Sequence, residues 1–110
     1  MYVTDFCGKV LYRIEDNRIL DFSGRCLHVL DKEYLRDFYG KIEYLIYDNK
    51  IETVSRQIVY TVNGENIMSF SGQIKYRLCR DHIENFTGKI LYKFDSGIPR
   101  KMLMALVAVI

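Results

Sequence analysis

Apolar and polar positions alternate along this chain in a pattern that returns every sixteen residues. Within the first period, the apolar residues Val10, Tyr12 and Ile14 are separated by single residues of mixed character. Apolar residues with a spacing of two mark one face of a β-strand. A polar turn and one more apolar residue, Ile19, come next and indicate a second, shorter strand. Each period therefore predicts one long strand and one short strand.

Six rows of sixteen residues align without a gap when the first row starts at Asp5. Position one of the rows carries small polar residues: Asp5, Asp21, Asp37, Thr53, Ser69 and Asn85. Position two is aromatic except in row four: Phe6, Phe22, Phe38, Val54, Phe70 and Phe86. Position four is glycine except in row four: Gly8, Gly24, Gly40, Arg56, Gly72 and Gly88. The conserved spacing of these positions defines the repeat.

The first four positions of a row form a turn signature, D-x-x-G. A small polar residue followed three places later by glycine is typical of a type I turn with a left-handed residue after it, which closes a tight hairpin. Val3 supplies a short strand ahead of row one. The pattern thus predicts six hairpins, or twelve strands, in an up-and-down meander. Sixteen residues cannot hold two strands and a crossover helix, which excludes a βαβ architecture.

The predicted strands need an arrangement that protects the sheet edges. A flat meander exposes two edges and one apolar face, whereas a barrel, a radial arrangement of hairpins or a capped linear solenoid avoids this. We expect the position-two side chains to point at a common centre, which favours closure, radially or as a barrel, over a solenoid. The prediction is an all-β single domain over residues 1–110, with repeats in 1–100 and an apolar tail in 101–110.

The motif I-x-D-x-x-G-x-x-x-Y-x-I runs through the rows. One copy opens with Ile19-Leu20-Asp21-Phe22-Ser23-Gly24 and continues to His28 and Leu30. This motif resembles that of the hairpin-repeat proteins called fourfold beta-flower proteins, and the resemblance covers all six rows. It implies a radial hairpin fold and brings no catalytic residue with it. The chain departs from that family in having six units rather than four.

Composition narrows the functional classes. Half of the 110 residues are apolar and one is proline, as expected of a folded domain. A net charge of +2 is too small to indicate a polyanion partner. The three cysteines, Cys7, Cys26 and Cys79, lack C-x-x-C spacing and predict free thiols in a reducing, cytoplasmic environment.

Candidate catalytic or metal-binding residues are few. Asp5, Asp21 and Asp37 recur at one position, but the neutral residues that replace them in later rows favour turn capping over a cation ring. His28 occupies a position that is tyrosine in the other rows, and His82 lies in a polar turn. Neither histidine has the spacing of a triad or a metal site. The sequence predicts no enzyme, no cofactor and no metal.

Row four departs from the repeat. Thr53-Val54-Ser55-Arg56 lacks both the acidic residue and the glycine of the turn signature. A break in a regular pattern can mark a binding site, and it can equally be drift in a redundant unit. We place the predicted binding site at Ser55, Arg56, Gln57 and Tyr60.

Position eight suggests a second kind of partner. It is tyrosine in five rows, and basic residues such as Arg13, Arg77 and Lys93 follow it. Bases of single-stranded nucleic acid stack on aromatic rings while cations hold the phosphates. The other interpretation is that these tyrosines belong to the core and place their hydroxyl groups at a polar rim.

The chain ends in nine apolar residues, Met102 to Ile110. A helix needs about 20 apolar residues to span a bilayer, so this segment is too short to cross one. It is expected to be buried, as a helix that plugs one end of the ring, as an added strand, or against a second copy of the chain.

Together these features favour a non-enzymatic protein-interaction or scaffold module, bound to an unknown protein partner or self-associating through the tail. The alternatives are a single-stranded nucleic-acid-binding protein and a binder of a small molecule near the central axis.

Overall fold

Long and short strands alternate along the repeat region with the sixteen-residue period of the sequence. The structure is a computed structural model that describes residues 1–79, 81–95 and 97–110. Its strands are β1 Tyr2–Thr4, β2 Val10–Glu15, β3 Arg18–Asp21, β4 Cys26–Asp31, β5 Tyr34–Asp37, β6 Ile42–Tyr47, β7 Lys50–Thr53, β8 Ile58–Asn63, β9 Asn66–Ser69, β10 Ile74–Leu78, β11 His82–Asn85 and β12 Ile90–Phe94. One helix, α1, spans Arg100–Val109.

The twelve strands close into a single barrel. Each strand pairs antiparallel with its neighbour in the chain, and β1 completes the circle by pairing with β12, where Val3 lies opposite Phe94. The Cα trace measures 36 × 34 × 17 Å, so the barrel is wide and short. The all-β meander is confirmed. Of the arrangements considered, the structure selects the closed barrel.

The D-x-x-G segments form the tight turns that the sequence predicts, here called motif turns. In the first, the Gly8 N–H donates to the Asp5 carbonyl oxygen at 3.1 Å, and Gly8 adopts a φ of 88°. Asp5 Oδ1 accepts the N–H groups of Cys7 and Lys9 at 2.9 Å each. Equivalent bonds recur in the motif turns of Asp21, Asp37 and Asn85. Position one therefore caps its turn.

A second set of turns joins each long strand to the next short strand, and these are called return turns. Their central residues include Asp16, with a φ of 53°, and Asp48, Asn49 and Gly64, with φ values of 48°, 59° and 63°. Positive φ at these places matches two-residue hairpin loops. Because the strands alternate in direction, all motif turns lie at one end of the barrel and all return turns at the other. These are the motif end and the return end.

The core consists of apolar side chains paired across the strands near the return end. Position ten of each long strand lies opposite the apolar residue of the following short strand, as Ile14 does with Ile19 and Ile46 with Ile51. The position-ten set is Ile14, Leu30, Ile46, Val62, Leu78 and Phe94, and the short-strand set is Val3, Ile19, Leu35, Ile51, Ile67 and Ile83. The position-eight tyrosines pack against these residues from the motif side.

The position-two residues do not point at the centre, and that prediction is wrong. Phe6, Phe22, Phe38, Phe70 and Phe86 are 59–82% exposed. They lie in the motif turns, beyond the last residues that pair across the strands, so their side chains project from the end of the barrel. The core forms around positions eight and ten instead, because only strand residues face the enclosed space.

Helix α1 closes the return end. It begins at Arg100, one residue before the predicted tail, and Pro99 immediately precedes it. The Arg100 guanidinium donates to the carbonyl oxygen of Gly64, in a return turn. Met102 to Val107 are buried in the core cluster, which confirms the predicted burial and the plug. The described residues contain no helix of the length and hydropathy that a membrane crossing requires.

Candidate functional site

The motif end presents a ring of apolar side chains to solvent, and we call it the rim. It consists of Phe6, Phe22, Phe38, Val54, Phe70 and Phe86, each of which is 57–82% exposed. Position two of a type I turn accepts most residue types, so turn chemistry does not require phenylalanine there. The rim residues also contribute little to the core. An apolar residue that serves neither turn nor core, at the same place in every hairpin, indicates a surface that binds something.

Three grooves run between adjacent hairpins at the motif end, in rows three to six. The first has a volume of about 650 Å³ and includes Tyr44 and Val54 in its lining. The second, of about 620 Å³, lies beside Phe70, and the third, of about 690 Å³, lies between Tyr76 and Phe86. In each groove a rim residue of one hairpin faces the long strand of the hairpin before it. We call these grooves and their three rim residues the grooved arc.

Three of the four residues predicted for the site lie in the grooved arc. Ser55 lines the first groove, and Arg56 and Gln57 line the second. Tyr60 does not join them. Its ring packs against the core and makes an edge-to-face contact with Tyr76, with 6.2 Å between ring centroids. Row four thus forms the wall between two grooves, and Tyr60 lies deeper, against the core.

Arg56 takes the place of the turn glycine and has a φ of 71°. This left-handed conformation is costly for a residue with a side chain. The guanidinium Nη1 donates to the Tyr47 hydroxyl at 3.3 Å and lies 3.8 Å from Glu52 Oε1. The Tyr47 hydroxyl in turn donates to Glu52 at 2.9 Å, and Glu52 is 5% exposed. Arg56 therefore helps to neutralise a buried carboxylate, which gives a structural reason for the departure of row four.

The position-eight tyrosines form a half-buried layer between the core and the motif end. Burial is the main reason why the pKa values of Tyr60 and Tyr92 lie above the ordinary tyrosine value, and neighbouring tyrosines raise them further. Tyr60 and Tyr76 meet edge to face rather than presenting open ring faces. The basic residues beside this layer are partly engaged, since Arg13 pairs with Glu15 and Arg77 lies 3.9 Å from Glu84. The geometry favours the core interpretation of these tyrosines.

His28 completes the position-eight layer and has a partner that sequence spacing did not suggest. Its Nδ1 lies 2.5 Å from Oε1 of Glu43, on the next long strand. Glu43 lines the first groove. The two residues are fifteen positions apart, almost one full repeat, so the barrel brings them together by placing consecutive long strands one strand apart. Pairing along the repeat period is the signal that could have found this contact.

A second cluster, which the repeat pattern did not indicate, lies at the row-five return turn. Cys79, His82 and Glu84 place their ligand atoms within 4.8 Å of one another. The hydrogen bond to Glu84 is the largest cause that raises the pKa of His82, and the same bond lowers the pKa of Glu84. Burial, followed by the charge of Glu84, raises the pKa of the Cys79 thiol. The spacing C-x-x-H-x-E across a hairpin turn is the signal that could have found this cluster.

Replacing Ser23 with alanine is expected to raise the pKa of Asp21. The Ser23 hydroxyl donates to Asp21 Oδ1 at 2.7 Å and is the largest cause of the lowered pKa, followed by the N–H of Arg25. A lowered pKa in the folded state means that Asp21 stabilises the fold fully above the pKa of an unfolded aspartate. This stabilisation is lost as pH falls through the folded value.

The measurement is a carboxyl titration of Asp21 by NMR. Ser55→Ala serves as the control, because the Ser55 hydroxyl bonds to Thr53 in another turn and should leave Asp21 unchanged. An unchanged Asp21 titration in Ser23→Ala would contradict the assigned cause.

The chain matches no protein-family model, no curated protein and no solved structure. The resemblance to the fourfold beta-flower proteins therefore stays a prediction.

Proposed function

We propose that the chain is a non-enzymatic protein-interaction module that binds an extended segment of a partner protein along the grooved arc. The observation that carries the proposal is the exposure of Val54, Phe70 and Phe86 beside three consecutive grooves. Aromatic side chains next to pockets are the usual anchors of protein interfaces. A partner segment that lies across successive hairpins would place one apolar side chain in each groove.

Repetition supports binding rather than catalysis. Equivalent elements line the grooves: a motif turn, the start of a long strand and the rim residue of the next hairpin. A catalytic site needs one unique set of reacting groups, whereas a surface of recurring grooves suits a partner with apolar residues at regular intervals. The closed barrel holds these grooves on strands rather than on long loops, so little conformational entropy is lost on binding.

The distribution of charge at the motif end indicates the charge of the partner residues that flank its apolar side chains. The motif turns, taken through position five of each row, hold five of the sixteen basic residues and three of the fourteen acidic ones. The other eleven of each sign cancel, so these turns account for the entire net charge of +2. The acidic groups of these turns are Asp5, Asp21 and Asp37, whose Oδ1 atoms already accept two backbone N–H groups each. Glu43, in the first groove, already contacts His28. We infer that acidic residues flank the apolar residues of the partner.

The experiment selects linear peptides from a random display library on the immobilised full chain and measures their affinity by calorimetry. We expect peptides with spaced apolar residues and flanking Asp or Glu. In Phe70→Ser/Phe86→Ser the affinity should fall roughly 100-fold, or about tenfold for each lost anchor of about 1.4 kcal/mol. The matched control is Phe6→Ser/Phe22→Ser, which makes the same change in two motif turns outside the grooved arc and should alter the affinity less than about threefold.

Three outcomes would overturn the proposal. One is that no peptide is selected. Another is that both double variants lose affinity equally, because binding would then not use the grooved arc. The third concerns the nucleic-acid alternative. If single-stranded RNA or DNA binds, weakens with salt, and keeps its affinity in Phe70→Ser/Phe86→Ser, the partner is a nucleic acid and not a protein segment.

A further inference from the structure

The row-five return turn gathers four side chains of metal-ligating type on the outside of the core. Cys79 directly follows β10, and His82 begins β11. The Cys79 N–H donates to the His82 carbonyl oxygen at 2.9 Å, which holds the two residues opposite each other across the turn. Glu84 comes two residues later, on the same strand as His82 and opposite Arg77. Backbone pairing thus fixes the positions from which three side chains converge.

The two nitrogens of the His82 ring have different partners. Nδ1 lies 2.6 Å from Oδ1 of Asp81, and Nε2 lies 2.8 Å from Oε1 of Glu84. In metal sites a ligating histidine usually donates its other ring N–H to a carboxylate, which orients the ring and makes the free nitrogen a better ligand. Asp81 occupies this orienting position and leaves Nε2, which faces Glu84, as the ligating nitrogen.

We propose that Cys79 Sγ, His82 Nε2 and a Glu84 carboxylate oxygen bind one Zn²⁺ ion, with Asp81 as the residue that positions His82. The ligand atoms already lie within 4.8 Å of one another, so small side-chain rotations bring them to a common centre. A thiolate, an imidazole and a carboxylate together suit zinc, and water completes the tetrahedral site. The His82 and Glu84 side chains are 21% and 19% exposed, which leaves a path for the ion.

Rows one to four provide an internal comparison, because each has the same return-turn positions. Rows one to four place the following residues where row five has Cys79, His82 and Glu84: Glu15, Arg18 and Leu20; Asp31, Tyr34 and Arg36; Tyr47, Lys50 and Glu52; Asn63, Asn66 and Met68. None of these sets contains a thiol or an imidazole, and none has more than one carboxylate. In row three the Tyr47 hydroxyl simply donates to Glu52. The hairpin fold therefore does not require the row-five set.

The experiment adds Co²⁺ and Zn²⁺ to the reduced, chelator-treated full chain. We expect one Co²⁺ per chain, with a thiolate-to-cobalt charge-transfer band in the near ultraviolet that Zn²⁺ abolishes. Cys79→Ser should remove the band, whereas Cys7→Ser and Cys26→Ser should retain it. Asp81→Asn should keep the band but weaken Zn²⁺ affinity roughly 10- to 100-fold, because Asp81 orients His82 without itself being one of the three ligands.

His28→Gln is the control for histidine loss, since His28 also contacts a glutamate, Glu43, but has no cysteine of this cluster beside it. It should leave Zn²⁺ affinity unchanged, whereas His82→Gln should reduce it by at least the same factor as Asp81→Asn. The proposal is overturned if the folded chain gives no charge-transfer band, if the band survives Cys79→Ser, or if His28→Gln and His82→Gln weaken binding equally. Circular dichroism of each variant separates loss of the site from loss of the fold.

Discussion

Replacing Leu106 with alanine is expected to lower the free energy of unfolding by about 2–5 kcal/mol, which is the usual cost of truncating a buried leucine. Leu106 is 0% exposed and lies in the middle of α1, where the helix closes the return end of the barrel. A cavity at this place also separates the helix from the strands that it covers. Since single domains are stable by about 5–15 kcal/mol, the variant should unfold at a clearly lower denaturant concentration.

Chemical denaturation followed by circular dichroism measures this effect. Val109→Ala is the control, because Val109 lies near the end of α1, is only partly buried and should cost much less. If Leu106→Ala and Val109→Ala shift the midpoint equally, or if Leu106→Ala has no effect, then α1 does not plug the barrel in solution.

Replacing Phe94 with alanine is expected to destabilise the chain by about 3–5 kcal/mol, the range for a buried aromatic residue. Phe94 is 7% exposed and lies opposite Val3 at the junction of β12 and β1. Its loss leaves a cavity in the core at the pair of strands that closes the barrel. Thermal or denaturant unfolding of the purified variant measures the change.

The same substitution at the rim should have little effect on stability. Phe86 is 69% exposed and lies eight positions earlier, in a motif turn. Exposed substitutions away from special features usually change stability by less than about 0.5 kcal/mol. A cost for Phe86→Ala as large as that for Phe94→Ala would mean that the rim is part of the core, as the repeat pattern first indicated.

The strands and turns could be predicted because their sequence signals lie within a single row. Asp21 and Gly24 define a motif turn through backbone bonds that involve residues no more than four positions apart. The spacing of His28 and Leu30 defines one face of β4 in the same local way. Such features do not depend on how the hairpins assemble, and the structure confirms them.

The place of the phenylalanines could not be predicted from alternation. Phe22 lies in the turn and not in a strand, so the period-two rule that places Leu30 in the core says nothing about its direction. Whether the Phe22 side chain is buried or exposed depends on which end of the barrel is closed. Helix α1 closes the return end, and its apolar residues occupy the centre that the phenylalanines were expected to fill.

The candidate site could be predicted only in part. The break in the repeat led to Ser55, Arg56 and Gln57, which do line grooves, but those grooves form between hairpins and include residues of neighbouring rows. Cys79 and Glu84 could not be predicted as site residues, because a single cysteine or glutamate in the sequence does not indicate a site. They become neighbours through the register of β10 and β11, which places Arg77 opposite Glu84.

The closure of the barrel through β1 and β12 has a consequence for how the chain folds. Among the described residues, eleven of the twelve strand pairs join strands that follow each other in the chain, and the pair of β1 with β12, which places Val3 opposite Phe94, joins strands from its two ends. The eleven local pairs can form from short loops, which close quickly and at low entropic cost. The twelfth requires almost the whole chain to be ordered first. We therefore expect the hairpins to form and pair in sequence first, and the pairing of β1 with β12 to form last and most slowly.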